Sequence, residues 1–464
     1  MTDFSSLLQP DKGQAAHDIH LVTADGFEDW LKGRPERERE TVKAQNFDAA
    51  ADAMAILPGE KADDWSVLAC VADPDNLVSW SLSKTATALP SGEYRLVDHE
   101  PGRAALGWLL AHYAFDRYKE SDKPAKDRIL LTGKPHQIDE IVALAEATCL
   151  VRDLVNTPAE DMGPADLQKV AEEIAAESVA ALTVTQGKDL EKGYPMIHAV
   201  GRAATEDRAP RLIELEWGNP KHPRIAIVGK GVVFDSGGLD IKSSAGMLIM
   251  KKDMGGAAHA LALANLVIGA QLPVRLHLLI PAVENSISAN AFRPGDIIAS
   301  RKGLSVEIGN TDAEGRLILG DALTRACESG PELVIDFATL TGAARVALGP
   351  DLPALFTDDE DLAAELAQVG TAVDDPVWRL PLWDGYEELL RSDIADIGNA
   401  ATNGMAGAST AALFLRKFVE SGTVWAHFDT YAWRGSAKPA RPKGGEALGL
   451  RASWAVLKQR YATG

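Results

Sequence analysis

Four apolar runs frame the latter part of the chain: RIAIVG (224–229), VRLHLLIPAV (274–283), ELVIDFATL (332–340) and VWAHFD (424–429). Each is short and apolar, the pattern of a buried strand. Between them, GGAAHALALANLVIGA (255–270) and ASTAALFLRKFVE (408–420) repeat apolar residues at helical spacing. Strands alternating with helices predict a largely parallel sheet covered by helices. In such sheets ligands gather in the loops beyond the carboxyl ends of the strands. Upstream, IDEIVALAEATCLVRDLVN (138–156) predicts a helix that stops at Thr157-Pro158, because a proline disfavours helix in the residue before it. Asp166 is placed to cap the next helix, over LQKVAEEIAAE.

The N-terminal part mixes short apolar runs (SVLACVAD, LVSWSL, YRLVDH) with helix-like stretches such as AALGWLLAHYAFDRY. The polar, proline-bearing SDKPAKDR marks a boundary after them. The expectation is an α/β protein of two domains. A small N-terminal α/β domain takes residues 1–135, and a larger α/β domain with a mostly parallel, helix-covered sheet takes 136–464, opening with a connecting helix over 136–156. A chain of 464 residues exceeds what one core usually serves, which agrees with that division.

Composition removes several classes of function. No stretch reaches the roughly 18 to 20 apolar residues that cross a bilayer. The start, MTDFSSLLQPDKGQ, lacks the basic flank and apolar run of a secretory signal. Cys70, Cys149 and Cys327 lie far apart without CxxC spacing, which fits a reducing cytoplasm and argues against a thiolate metal site. A formal charge of −20 repels phosphate backbones, so nucleic acid is an unfavourable partner.

The chemistry concentrates in two places. VGKGVVFDSGGLDIKSSAGMLIMKKDMGGAA (228–258) begins at the end of a strand and sets Lys230, Asp235, Lys242 and Asp253 among seven glycines. Isolated carboxylates among small and apolar neighbours need a strong cationic partner. GNTDAEGRLILGDAL (309–323) carries Asp312, Glu314 and Arg316 at alternate positions. In an extended segment these would share one face. Oxygen-rich clusters of this kind suit divalent cations, which carboxylates can bridge.

Competing readings fit less well. GKGVVFDSGG matches neither GxxxxGK[ST] nor GxGxxG, which disfavours a phosphate cradle. Asn310 to Asp321 imitates a calcium loop, but LSVEI before it alternates like a strand and its twelfth position is Asp rather than Glu. Ser236, Ser243 and Ser244 lie in the rich region without a GxSxG elbow, and HExxH and HxxEH are absent. His259, on an apolar helix, reads as a packed residue.

In these clusters the sequence resembles the leucyl aminopeptidase family. The resemblance is carried by NTDAEGRL (310–317), VGKGVVFDSGGLDIK (228–242), KKDMGGAA (251–258), ATLTGAA (338–344) and LVNTPAEDM (154–162), in family order. It covers residues 150–464 and makes the larger domain the catalytic one; the N-terminal part offers no such match. It implies a metal-dependent exopeptidase that takes peptides with a free N-terminus, using two divalent ions per subunit, Zn²⁺ or Mn²⁺, and a bicarbonate. By resemblance, Lys230, Asp235, Asp253 and Glu314 hold one ion, and Asp235, Asp312 and Glu314 hold the other. Lys242 would contact substrate and Arg316 would hold the bicarbonate; Met250, Thr339 and Gly342, with the backbone at Leu340, would form the side-chain pocket. A cytoplasmic homohexamer is the implied setting. FDTYAWRGSAKPARPKGGEALGLRA (428–452) departs from the family's ending. A catalytically silent scaffold is the alternative, opposed by the retention of every ligand candidate.

Overall fold

The computed structural model describes residues 3–61, 63–119, 127–401 and 403–462. Residues 121–126 of the expected boundary segment lie outside the described residues. The chain forms two compact units. One comprises residues 1–149 and 436–443, the other 150–435 and 444–464.

The first unit is built on six strands: β1 (Leu8–Pro10), β2 (His17–Val22), β3 (Met54–Pro58), β4 (Trp65–Cys70), β5 (Gly92–Leu96) and β6 (Arg128–Thr132). Their order is β1-β6-β5-β2-β4-β3, and only β3 runs antiparallel to its neighbour. LVSWSL forms no strand; it turns into the helix Ser83–Ala88. The helix in AALGWLLAHYAFDRY covers only Ala104–Leu110, the wholly buried part of that run. Trp108 is fully buried and donates its indole N–H to the Arg128 carbonyl at 2.7 Å, which joins helix to sheet. In the segment 436–443, the Arg441 guanidinium lies 4.3 Å from the Trp80 ring centroid.

In the second unit the central strands are β9 (Arg224–Gly229), β11 (Arg275–Asn285), β14 (Leu333–Ala338) and β18 (Val424–Asp429). They run parallel in the order β18-β14-β9-β11. Four further strands extend this sheet: β7 (Ala181–Gln186) and β8 (Arg211–Trp217) on one side, β15 (Ala354–Phe356) and β16 (Trp378–Arg379) on the other. Antiparallel pairings of β8 with β11 and of β15 with β18 make the sheet mixed at its edges. β10 (Gly231–Asp235) pairs with the far end of β11. A separate small sheet joins β12 (Ile297–Ala299), β13 (Ser305–Glu307) and β17 (Ile397–Gly398).

The helix Gly255–Gly269 is buried along nearly its whole length, as expected of a helix apolar all round. The predicted connecting helix over 136–156 forms from Ile138 to Asn156, after a 3₁₀ turn over Pro135–Gln137, and the next helix begins at Pro164. Asp166 is therefore not the N-cap residue. It sits at the third helical position and accepts the Gly163 N–H at 2.9 Å, which satisfies an orphan donor from inside the helix.

A buried ion-pair chain braces the second unit. Arg152 is fully buried and donates to Glu446 Oε1 from Nη2 at 2.9 Å, while Glu446 Oε2 accepts from Arg434 Nε at 3.3 Å. Removing the carboxylate takes a buried counter-charge from both guanidinium groups, although Arg434 keeps its pairing with Asp351 at 3.0 Å. Glu446→Ala should cost about 3–5 kcal/mol, readable as a lower urea midpoint, and a midpoint within error of wild type would contradict it.

Candidate active site

Five segments meet where the parallel strands end. Lys230 follows β9 directly and is held by backbone bonds on both sides: its N–H donates to Phe337 O at 2.9 Å, and its carbonyl accepts from Ala257 N at 2.8 Å. The chain at Gly256 passes so close that a Cβ there would lie 2.2 Å from Phe337 O. Glycine is required at that approach. Asp253 stands three residues earlier, in a short 3₁₀ turn over Met250–Met254.

Asp235 ends β10 after a register shift between Val232 and Asp235, an irregularity of the kind that re-aims a side chain at an active site. Gly237 and Gly238 follow with φ of +86° and +65°, turning the chain sharply. Asp235 Oδ1 accepts from Gly237 N at 2.9 Å and from Asn285 Nδ2 at 2.8 Å.

Asp312 and Glu314 come together with Asp235 by a route other than the expected extended face. Glu314 is the first residue of the helix Glu314–Cys327, and Asp312 lies in the turn before it. Arg316 is therefore helical too, and its Nη1 donates to Asn399 O at 2.8 Å. Asp321 does not close a calcium loop. It is a buried helical residue that accepts backbone N–H groups of Met196, Ile197 and Arg301. His259 is fully buried and ties Gly255 O to Leu448 N, as a packed histidine should.

Carboxylate oxygens of Asp235, Asp312 and Glu314 lie within 4.8 Å of one another. Lys230 Nζ contacts Asp253 Oδ2 at 2.7 Å, Glu314 Oε1 at 2.9 Å and Thr339 O at 3.1 Å. Lys242 Nζ reaches Asp235 Oδ2 at 2.8 Å and also contacts Asp312 Oδ1. Thr339 Oγ1 donates to Asp253 Oδ1 at 2.8 Å.

The electrostatics follow from crowding four carboxylates in a buried place. Burial, then the charge of Asp253, lifts Asp235 to about 6; burial, then the charge of Asp235, lifts Glu314 to about 7. Asp312 is raised by burial and Glu314. Burial also works against ionised Asp253, but the Lys230, Lys252 and Lys242 charges outweigh it and hold the group low. Lys230 and Lys242 are held above the usual lysine range, since their carboxylate neighbours outweigh burial. Buried Arg316 is pushed down to about 10.

Glu314 Oε2 is buried with no hydrogen-bond partner among the described residues, and so is Arg316 Nε. A carboxylate cluster with an orphaned buried oxygen fits a divalent cation, and an orphaned guanidinium donor fits an anion. The cluster opens on a cavity of about 730 Å³ lined by Met250, Lys252, Thr339, Leu340, Gly342 and Tyr431, among others.

Both segments of the chain have relatives. The profile of the cytosol aminopeptidase family's catalytic domain matches residues 149–453, and that of the M17 aminopeptidase N-terminal domain matches residues 18–131. The chain belongs to the cytosol aminopeptidase family. It is a hydrolase of the leucyl aminopeptidase type, a metal-dependent exopeptidase with a two-domain α/β fold. The N-terminal part, in which no family pattern was legible, is the family's own N-terminal domain.

A probable cytosol aminopeptidase of Syntrophotalea carbinolica is 42% identical over 371 residues, covering 76% of this chain and 74% of the relative. The crystal structure of cytosol aminopeptidase from Coxiella burnetii is 44% identical with a TM-score of 0.92, covering 98% of this chain and 99% of that one. The bottromycin maturation enzyme BotP, solved in complex with Mn, is 31% identical with a TM-score of 0.85, covering 96% and 100%.

Several supporting residues escaped the sequence. Asn285 bridges Asp235 and the Thr311 carbonyl; Asn399 Oδ1 accepts from Gly309 N at 2.8 Å, and its Nδ2 donates to Asn310 O at 2.7 Å. Asn285 had one signal, its place at the carboxyl end of a strand. Asn399 had none.

Gly315 is another. A Cβ there would sit 2.6 Å from Lys230 Cε and 2.7 Å from Nζ. Lysine ends usually give way, but this one is pinned between two carboxylates. Gly315→Ala should displace the ammonium and lower kcat/KM by roughly tenfold or more, with circular dichroism unchanged. Wild-type kinetics in that variant would show that Lys230 has room to move.

Proposed function

We propose that the chain releases N-terminal residues from peptides at a two-ion centre formed by Lys230, Asp235, Asp253, Asp312 and Glu314. The observation that carries this reading is the convergence of three carboxylates within 4.8 Å, one with an unpartnered buried oxygen. Lys230, Asp235, Asp253 and Glu314 would hold one ion; Asp235, Asp312 and Glu314 would hold the other. Zn²⁺ or Mn²⁺ suits this set of oxygens with one nitrogen. When bound, such ions supply an activated water near neutral pH and a seat for the substrate's free amine.

The chain's own groups do the rest. Lys230 can ligate only as a neutral amine, so loading releases its proton and is favoured by higher pH. Lys242 stays cationic at the cavity wall and stabilises negative charge that develops on the scissile carbonyl oxygen. Arg316 keeps an unused buried donor at the cavity, suited to a bicarbonate held by its planar fork. When bound, that anion supplies proton transfer that no histidine here provides. Met250, Thr339, Leu340 and Gly342 line the same cavity and would receive the side chain of the N-terminal residue.

Relatives named cytosol aminopeptidase support a cytoplasmic setting. Among the described residues no helix is long and apolar enough to cross a membrane. A homohexamer rests on the family resemblance, and sedimentation of the purified protein tests it. The decisive experiment is a panel of free-amine dipeptides on metal-free protein reloaded with Zn²⁺, Mn²⁺ or Co²⁺. Metal-dependent turnover is expected. Bound metal with no turnover of any member would leave a silent scaffold as the better account.

A further inference from the structure

The cavity holds more positive charge than the metal cluster uses. Lys230 and Lys242 are each clamped between two carboxylates. Lys252 is not. Its side chain is 7% exposed, and its nearest carboxylate oxygen, Asp253 Oδ1, is 3.9 Å away and already accepts from Thr339 Oγ1. Among the described residues Lys252 Nζ donates no hydrogen bond. It lies 5.1 Å from the centroid of the Tyr431 ring, and the Arg345 guanidinium lies 4.9 Å from the same centroid. Arg345 has no ion pair among the described residues. Lys252, Arg345 and Tyr431 all line the cavity beside Met250 and Gly342. A Cβ added at Gly342 would meet nothing within 4 Å, so there is room for a ligand side chain.

A buried ammonium without a full partner is costly, and a carboxylate delivered by a ligand removes that cost. We propose that this pocket selects peptides whose N-terminal residue is glutamate or aspartate, with the side-chain carboxylate held by Lys252 and Arg345 beside Tyr431. The proposal rests on the exopeptidase reading above and names its substrate class. It also gives a role to the C-terminal stretch 428–452, which contributes Tyr431 to the cavity wall. Met250 and the ring then flank the methylenes of the side chain, and the two cations meet its end.

The test compares Glu-Ala with its neutral isostere Gln-Ala, and with Leu-Ala, on the full-length metal-loaded enzyme. We expect kcat/KM for Glu-Ala to exceed that for Gln-Ala by roughly tenfold or more. Lys252→Met should collapse this ratio towards one, chiefly by raising KM for Glu-Ala. Arg345→Met, at an exposed side chain that folding does not need, should lower it in the same direction. Equal rates for Glu-Ala and Gln-Ala in wild type, or an unchanged ratio in both variants, would overturn the assignment. So would a Lys252→Met enzyme that loses metal and slows all three dipeptides alike, since Lys252 would then serve only to keep Asp253 charged. Should wild type cleave none of them, the exopeptidase reading fails, and calorimetry with L-glutamate against L-glutamine still decides the pocket. Tighter glutamate binding supports it, and equal affinity refutes it.

Discussion

Glu314→Gln should lose bound metal and turnover together, with kcat/KM lower by roughly three orders of magnitude or more. Glutamine keeps the shape and removes the charge. Its amide nitrogen would also face Lys230 Nζ, which now sits 2.9 Å from Glu314 Oε1, or else leave no second oxygen for an ion. The same change should not weaken the metal-free fold. Burial and the neighbouring Asp235 already lift the Glu314 carboxyl to about 7, so the ionised form is under strain there. Elemental analysis, dipeptide kinetics and thermal unfolding in chelator separate the two effects. Full metal occupancy with near-normal kcat would remove Glu314 from the ligand set. Asp235→Asn should behave alike, because Asp235 is the other carboxylate assigned to both ions.

Lys242→Ala should divide metal from chemistry. The Lys242 side chain is 16% exposed at the cavity wall, and its ammonium pairs with Asp235 and Asp312. Without it those carboxylates are freer to hold cations, so most of the metal should remain. What disappears is the positive charge beside the reacting carbonyl. Loss of one such group costs roughly 10²–10³ in kcat. Lys242→Arg should recover only part, because a planar fork does not reproduce a point charge. A kcat close to wild type in Lys242→Ala would refute the role given to this residue.

What the sequence disclosed and what it hid follow physical lines. β9 and β18 coincide with the runs 224–229 and 424–429, because central parallel strands are buried on both faces and read as unbroken apolar segments. The flanking strands β7 and β8 alternate or carry charge, and pairing across an edge is not written in local pattern. Clustering of ligand candidates was legible from composition, since carboxylates among glycines have few other uses. Their geometry was not. The alternate spacing of Asp312, Glu314 and Arg316 suggested an extended face, yet a helix starts at Glu314 and a tertiary approach from Asp235 completes the cluster. Lys252 carries no local signal that sets it apart from Lys251, yet Lys251 reaches Asn156 O while Lys252 lines the cavity.

The first unit is sewn from two pieces of chain, residues 1–149 and 436–443, and the second piece brings Arg441 against Trp80. Such a unit cannot travel as a cassette. A gene fusion or recombination with one crossover after residue 149 would carry the larger piece away and leave eight residues behind, still threaded through the other unit's sequence. Exchange between relatives that preserves both units needs three breakpoints, two of them deep in the C-terminal stretch. With fewer, a recombinant sets the 436–443 piece of one parent against the 1–149 piece of the other, and Arg441 meets a Trp80 that it did not evolve beside.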